Sequence, residues 1–192
     1  MSGLSRPKTF ITPVFKINKE VKTKPEIKEK IIFMDEDIKS MFLKLNDKNS
    51  NFITIIYLLF YTALRPSNIL TISADNIDLK SRTLNYHSPN RKKFREIAFH
   101  KDLAPILESR ISLVNEAKLL EYSSVEILGK AITRYVRTLK LRKEYTARTF
   151  RKTFITLCRS KYNMDASTVR ELVGHEHSNT ADRFYPDHFR SI

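Results

Sequence analysis

Apolar positions recur at helical spacing from Asp35 onward. Ile38, Met41, Phe42 and Leu45 share one face, and Asp35 and Asp37 stand where acidic groups favour a first turn. Residues 52–63 are apolar nearly all round, which predicts a helix at the centre of the core. Pro66 suits the first position of a further short helix over 67–72, because its missing N–H is not needed there. The period then changes to two. Ile77 and Leu79, Leu84 and Tyr86, and Ile97 and Phe99 are short alternating runs, separated by Lys80-Ser81-Arg82 and by Ser88-Pro89-Asn90, and they predict three antiparallel strands. Helical spacing returns at Leu103, Ile106, Leu107 and Ile111, and again at Val125, Leu128, Ile132, Tyr135, Val136 and Leu139. Later helices are expected over 146–162, 167–173 and 180–189. The expected fold is mainly α with a small three-stranded antiparallel sheet, an α+β arrangement without internal repeats.

Residues 1–31 hold no period for long. Pro7, Pro13 and Pro25 are mixed there with Lys16, Lys19, Lys22, Lys24, Lys28 and Lys30, which predicts a basic extended arm or linker ahead of one domain over 32–192. A chain of 192 residues can bury one core of that kind.

Charge narrows the class of partner. Lysine and arginine number 35 against 21 acidic residues, a net charge of +14, and this favours a polyanion such as nucleic acid. The basic residues crowd toward the C-terminal half: Lys130, Arg134, Arg137, Lys140, Arg142, Lys143, Lys152, Arg159 and Lys161 stand against Glu144, a density expected of a DNA-tracking surface. The longest apolar run, residues 52–64, is interrupted by Thr54 and Thr62 and falls short of the roughly 20 residues a bilayer requires, so no membrane partner is expected. No charged-then-apolar leader opens the chain, and the single cysteine, Cys158, excludes an internal disulfide and fits a reducing compartment. With three glycines in all, there is no glycine-rich phosphate loop and no seat for a nucleotide cofactor. The histidines and acidic residues show no metal-ligand spacing, so neither metal nor cofactor is expected.

Four features carry chemistry. Arg65 follows the apolar helix directly; its plain structural reading is a cation at a helix C-terminus, and its functional one is a planar fork for phosphate. Arg148 and Arg151 are three apart and share a helix face, with Phe150, Phe154 and Leu157 turned to the core. Gly174 can take the left-handed position that ends a helix, projecting His175 from a fixed place. Tyr185 lies in a late, polar-flanked segment, Asp182-Arg-Phe-Tyr185-Pro186. Two separated arginines, a histidine and a late tyrosine suit the holding of a DNA phosphate while a phenol oxygen attacks it.

The ordered set resembles the catalytic domain of the tyrosine recombinases, the phage-type integrases and Xer-like resolvases, over about residues 34–192. Thr62-Ala-Leu-Arg65-Pro-Ser-Asn-Ile-Leu-Thr-Ile resembles the first arginine motif, Arg151-Lys-Thr-Phe-Ile-Thr the second, and Val169-Arg-Glu-Leu-Val-Gly-His175 the segment that holds the second histidine. The resemblance implies Tyr185 as nucleophile, forming a 3'-phosphotyrosyl link and freeing a 5'-hydroxyl. It implies Arg65 and Arg151 as the phosphate clamp and His175 as the handler of the tyrosine proton. A hairpin lysine, Lys92 or Lys93, would protonate the leaving oxygen. The link conserves the bond energy, so the resemblance implies no ATP, metal or other cofactor. It implies a double-stranded DNA attachment site as partner, self-association into a synaptic tetramer on DNA, and a place on DNA in the host-cell cytoplasm, in integration or excision of a mobile element.

Three departures are visible. Arg148 stands where the family's His-x-x-Arg motif has histidine, which removes one candidate base, adds phosphate charge and is similar to the integrases of archaeal viruses. The interval from His175 to Tyr185 is longer by a single residue than the common pattern, which leaves open whether the tyrosine acts in its own subunit's site or a neighbour's. Asn68 stands where a structural glutamate is usual. The family's N-terminal clamping domain has no counterpart in a thirty-residue arm, so a catalytic fragment is expected, with a minimal enzyme as the other reading. A type IB topoisomerase, relaxing DNA with the same groups, and a non-catalytic basic DNA-binding protein are the alternative functions.

Overall fold

The computed structural model describes residues 31–88, 93–114 and 118–174. Seven helices and three strands follow in the order α1 (Asp35–Leu45), α2 (Ser50–Thr62), α3 (Pro66–Ile69), β1 (Ile77–Asp78), β2 (Thr83–Ser88), β3 (Lys93–Ala98), α4 (Ala104–Leu113), α5 (Val125–Thr138), α6 (Ala147–Ser160) and α7 (Ala166–Leu172). The mainly helical fold with a small antiparallel sheet is therefore as the periodicity predicts. The helix expected over 180–189 lies outside the described residues, as does the arm over 1–30.

The centre is α2, the segment that is apolar on all sides. Ile55, Ile56, Leu58 and Leu59 are completely buried, and α2 packs against both α4 and α6. Asn49 caps it, its Oδ1 accepting from Phe52 N at 2.8 Å. Its threonines do not interrupt it, because each turns its hydroxyl back to the helix: Thr54 Oγ1 donates to Ser50 O at 2.8 Å and Thr62 Oγ1 to Leu58 O at 2.6 Å. At the C-terminal end Ala63 takes a left-handed φ of 53°. That residue turns the chain sharply, so that Leu64 stays buried while Arg65 emerges as the exposed N-cap of α3, with Pro66 in its first turn.

The sheet has the order β1-β2-β3, antiparallel throughout. The β2–β3 register sets Leu84 opposite Ile97 and Tyr86 opposite Arg95. Leu84, Tyr86 and Ile97 are buried, so this parity is the inward face. β1 is shorter than the alternation of Ile77 and Leu79 suggests, and Phe99 lies just past β3, buried, its N–H donating to Arg82 O at 2.9 Å.

Helices α5 and α6 complete the core through Leu128, Ile132, Val136 and Phe150. Val125, counted with the inward face of α5, is instead exposed at the helix's first residue. Phe154 and Leu157 of α6 are only partly buried; they line an open cavity with Phe60, Tyr61 and Tyr162 rather than the closed core that receives Phe150. Among the described residues, no helix is long and apolar enough to cross a membrane.

Candidate active site

Arg151 projects from the second turn of α6 and is half-buried between two helix ends. Its Nη1 donates to the carbonyl of Ala63, the left-handed residue that ends α2, at 2.7 Å. Its Nη2 donates to the carbonyl of Val173, which follows α7, at 2.7 Å. One guanidinium thus ties the residue two before Arg65 to the residue two before His175. The cation that satisfies the end of α2 is Arg151, not Arg65 as the sequence order suggested; Arg65 is exposed at the head of α3. A guanidinium fork has further N–H donors beyond these two to offer an oxyanion.

The two arginines feel each other. Burial, then the neighbouring charge of Arg65, presses the Arg151 guanidinium down to about 10, against an opposing influence from the Tyr86 phenol. Two like charges near each other, one exposed and one half-buried, make a positive locus on this side of the fold.

Gly174 ends α7 with φ 67°, the left-handed conformation predicted for it. The turn is stabilised by its N–H donating to Glu171 O at 2.8 Å, and α7 itself is capped by Asp165, which accepts from Ser167 N at 2.8 Å and Thr168 N at 3.0 Å. Glycine is favoured here by its conformation, and a side chain would also displace its neighbours. A Cβ would stand 2.9 Å from Arg95 Nη1 and 3.0 Å from Tyr86 Oη. Arg95 and Tyr86, cross-strand partners on the inward face of the sheet, therefore reach the same turn that Arg151 holds. Sequence reading singled out neither. The available signal was parity: Arg95 is two residues before the buried Ile97 and opposite the buried Tyr86.

Of the residues expected at the site, Arg65, Arg151 and the Gly174 turn come together. Arg148 does not share the half-buried position of Arg151; it is exposed in the first turn of α6, where no acidic residue accompanies it and where the helix N-terminus also attracts anions. Lys93 opens β3, paired in register with Ser88. Lys92, His175 and Tyr185 lie outside the described residues. Asn68, at the position usual for glutamate, is buried in α3 and its carbonyl accepts from Thr71 Oγ1 at 2.7 Å. The basic residues of α5 and α6 and of the segment between them, Lys130, Arg134, Arg137, Lys140, Arg142, Lys143, Lys152 and Arg159, are exposed. Glu144 is not their sole acidic neighbour, since Lys130 pairs with Glu126 at 2.7 Å.

A helical core that carries a small three-stranded antiparallel sheet is a fold found among solved structures. The crystal structure of XerA recombinase superposes with a TM-score of 0.69 at 16% identity, over 77% of this chain and 57% of that one. The Tn1549 transposon integrase, in complex with a circular intermediate DNA, gives 0.69 at 15% identity over 79% of this chain and 60% of that one. The integrase from mycobacterium phage Brujita gives 0.63 at 16% identity over 88% of this chain and 50% of that one. This chain thus spans little more than half the length of the structures it matches. No curated protein matches it in sequence. The phage integrase family model matches residues 32–191, and the chain belongs to that family.

Proposed function

We propose that residues 32–192 are the catalytic domain of a site-specific DNA recombinase that cleaves and rejoins strands through a 3'-phosphotyrosyl intermediate, with residues 1–31 as a basic arm or linker. The observation that supports this reading is the double anchorage of Arg151 on Ala63 and Val173, which ties the residue two before Arg65 and the turn before His175 to one guanidinium.

In this reading the two guanidiniums hold the non-bridging oxygens and stabilise the charge that grows on the pentavalent phosphorus. The Tyr185 phenol gives its proton to His175 and its oxygen bonds to phosphorus. The bond from phosphorus to the 5'-oxygen breaks, and Lys92 or Lys93 supplies the proton that makes it a hydroxyl. Attack by a 5'-hydroxyl on the phosphotyrosyl link reverses each transfer and joins the strands, so no external energy source is needed. Arg148 adds positive charge at the head of α6, in place of a second base.

Solved neighbours include XerH bound to its difH substrate and a lambda integrase dimer bound to a core site. For this chain we infer the corresponding partners: a double-stranded attachment site and further copies of itself, up to a synaptic tetramer, on host-cell DNA during integration or excision of a mobile element.

The test uses a pool of nicked duplexes with a randomised core, in which the fragment beyond the nick diffuses away and traps the covalent adduct. The wild-type chain should give a species that migrates as a protein–DNA adduct under denaturing conditions, and Tyr185→Phe should give none. Absence of adduct from the wild type, or its survival in the variant, would overturn the assignment.

A further inference from the structure

We propose that Arg95 is a positioning residue of the strand-transfer site. Its guanidinium, seated with the Tyr86 hydroxyl against the bare backbone of Gly174, clamps the β2–β3 hairpin to the turn that Arg151 holds from α6. The hairpin carries the lysines and the turn leads into His175. The role proposed for the clamp is to hold the strand that leads from the hairpin lysines against the turn that leads to His175. This inference rests on the reading of the site given above.

The inward face of the sheet changes character along its length. Leu84 and Ile97, opposite each other, are buried against the core. One step closer to the hairpin tip the same face carries Tyr86, still part of the core, and Arg95, and there it also meets the end of α7. Tyr86 is nearly as buried as Leu84, at 3% exposure, and its hydroxyl and the Arg95 guanidinium both lie beside Gly174. Gly174 completes the fit from the other side. A Cβ there would stand 2.9 Å from Arg95 Nη1 and displace that guanidinium from the turn, and the φ of 67° disfavours one independently. Consecutive residues of a single turn, Val173 and Gly174, are thus met by guanidiniums from different elements, one from α6 and one from β3. The first of these sets the clamp for phosphate; the second ties the hairpin to it.

A role confined to folding and a role in positioning the hairpin lysine differ in one chemical respect. If the bridging 5'-oxygen is replaced by sulfur, the leaving thiolate needs no proton, so a fault in the acid is bypassed while a fault in the fold or the phosphate clamp is not. The probe is the duplex recovered from the randomised pool, prepared once with the ordinary 5'-oxygen and once as the 5'-bridging phosphorothiolate. With the ordinary diester, adduct formation by Arg95→Ala should fall by about 100-fold, within the usual range for loss of general acid catalysis. With the phosphorothiolate the same variant should come within about tenfold of the wild type. Gly174→Ala should show the same selective loss from the other side of the contact, and Arg95→Ala with Gly174→Ala should lose less than the sum of the two, since both break one contact. Arg95→Lys, which keeps the stem and charge but not the planar fork, guards against loss of folding and should fall between wild type and Arg95→Ala.

Equal losses on the two substrates, or no loss on either, overturn the proposal. The double variant Lys92→Ala with Lys93→Ala, run in parallel, separates it from the reading beneath. A rescued lysine variant beside an unrescued Arg95→Ala removes the clamp and leaves the site intact. An unrescued lysine variant removes the role of the hairpin lysine, and the clamp with it.

Discussion

Arg151 holds its charge under unfavourable conditions. Burial first, and Arg65 second, lower its pKa to about 10. Below that pH the guanidinium is charged in folded and unfolded chains alike and the fold bears the desolvation in full; above it the folded state gives up its proton first and the penalty lapses. In the proposed reading, an anion held by Arg65 and Arg151 would relieve the same penalty. Sulfate at several times its Kd should therefore stabilise the protein by about 1 kcal/mol, roughly 2–4 °C in Tm, in thermal melts below pH 10, and the effect should fade above it. Arg65→Gln and Arg151→Gln should each abolish most of the rise. Both arginines were legible in the sequence because each sits in a motif with its own neighbours. Arg95 was not, because it is one basic residue among 35 and its role depends on a glycine 79 positions away.

The first half of α6, which carries Arg151, is tied to the chain that leads into α1. Phe33 lies between Tyr145 and Phe150 with edge-on ring centroids 4.6 and 4.8 Å apart, and its N–H donates to Thr153 Oγ1 at 2.9 Å. The Tyr145 hydroxyl donates to Asp37 Oδ2 at 2.6 Å, and the same carboxylate oxygen accepts the N–H of Met34 at 3.0 Å, at the head of α1. Tyr145→Phe should destabilise the fold by about 1.5–3 kcal/mol, as loss of a bond to a charged acceptor does, measured by urea unfolding at pH 8. The pH dependence has a definite sign. Burial, then the bond to Asp37, pushes the Tyr145 phenol up to about 12. Its contribution is complete below pH 10, the ordinary value in the unfolded chain, and is lost as pH rises from 10 to 12. Tyr61 and Tyr135, also pushed up to about 12 chiefly by burial, act in the same direction. The wild type should therefore weaken steeply between pH 10 and 12, and Tyr145→Phe less so. The helices themselves followed from apolar spacing; the bond from Asp37 to a tyrosine 108 residues away did not, because nothing in either neighbourhood specifies the other.

Across its surface the protein carries a large excess of positive charge, +14 over the chain, with Arg134 and Arg137 exposed on α5 and Lys140, Arg142 and Lys143 exposed in the segment before α6. If this face meets DNA as proposed, it does so by releasing counterions, and affinity for an arbitrary duplex should fall linearly on a log–log plot against salt, with a slope of about 0.9 for each phosphate contacted. Arg134→Glu with Arg137→Glu should reduce that slope by about 2 and weaken binding uniformly across sequences, as measured by fluorescence anisotropy between low and moderate salt. Unchanged slope would place the DNA on another face.

The sequence by itself determined the elements and the cast. Apolar periodicity marked the helices and the three strands, since that pattern is local and is imposed by which face must leave water. Motif order named Arg65, Arg151, Gly174 and the family they imply. The tertiary structure decided which cation meets which carbonyl. It gave the end of α2 to Arg151, left Arg148 exposed, and brought Arg95 and Tyr86 from the sheet onto Gly174. Those relations join residues tens of positions apart, through hydrogen bonds and a missing Cβ whose partners exist only after the helices and the sheet have packed. A one-dimensional pattern records the need to be buried, not the neighbour that burial supplies.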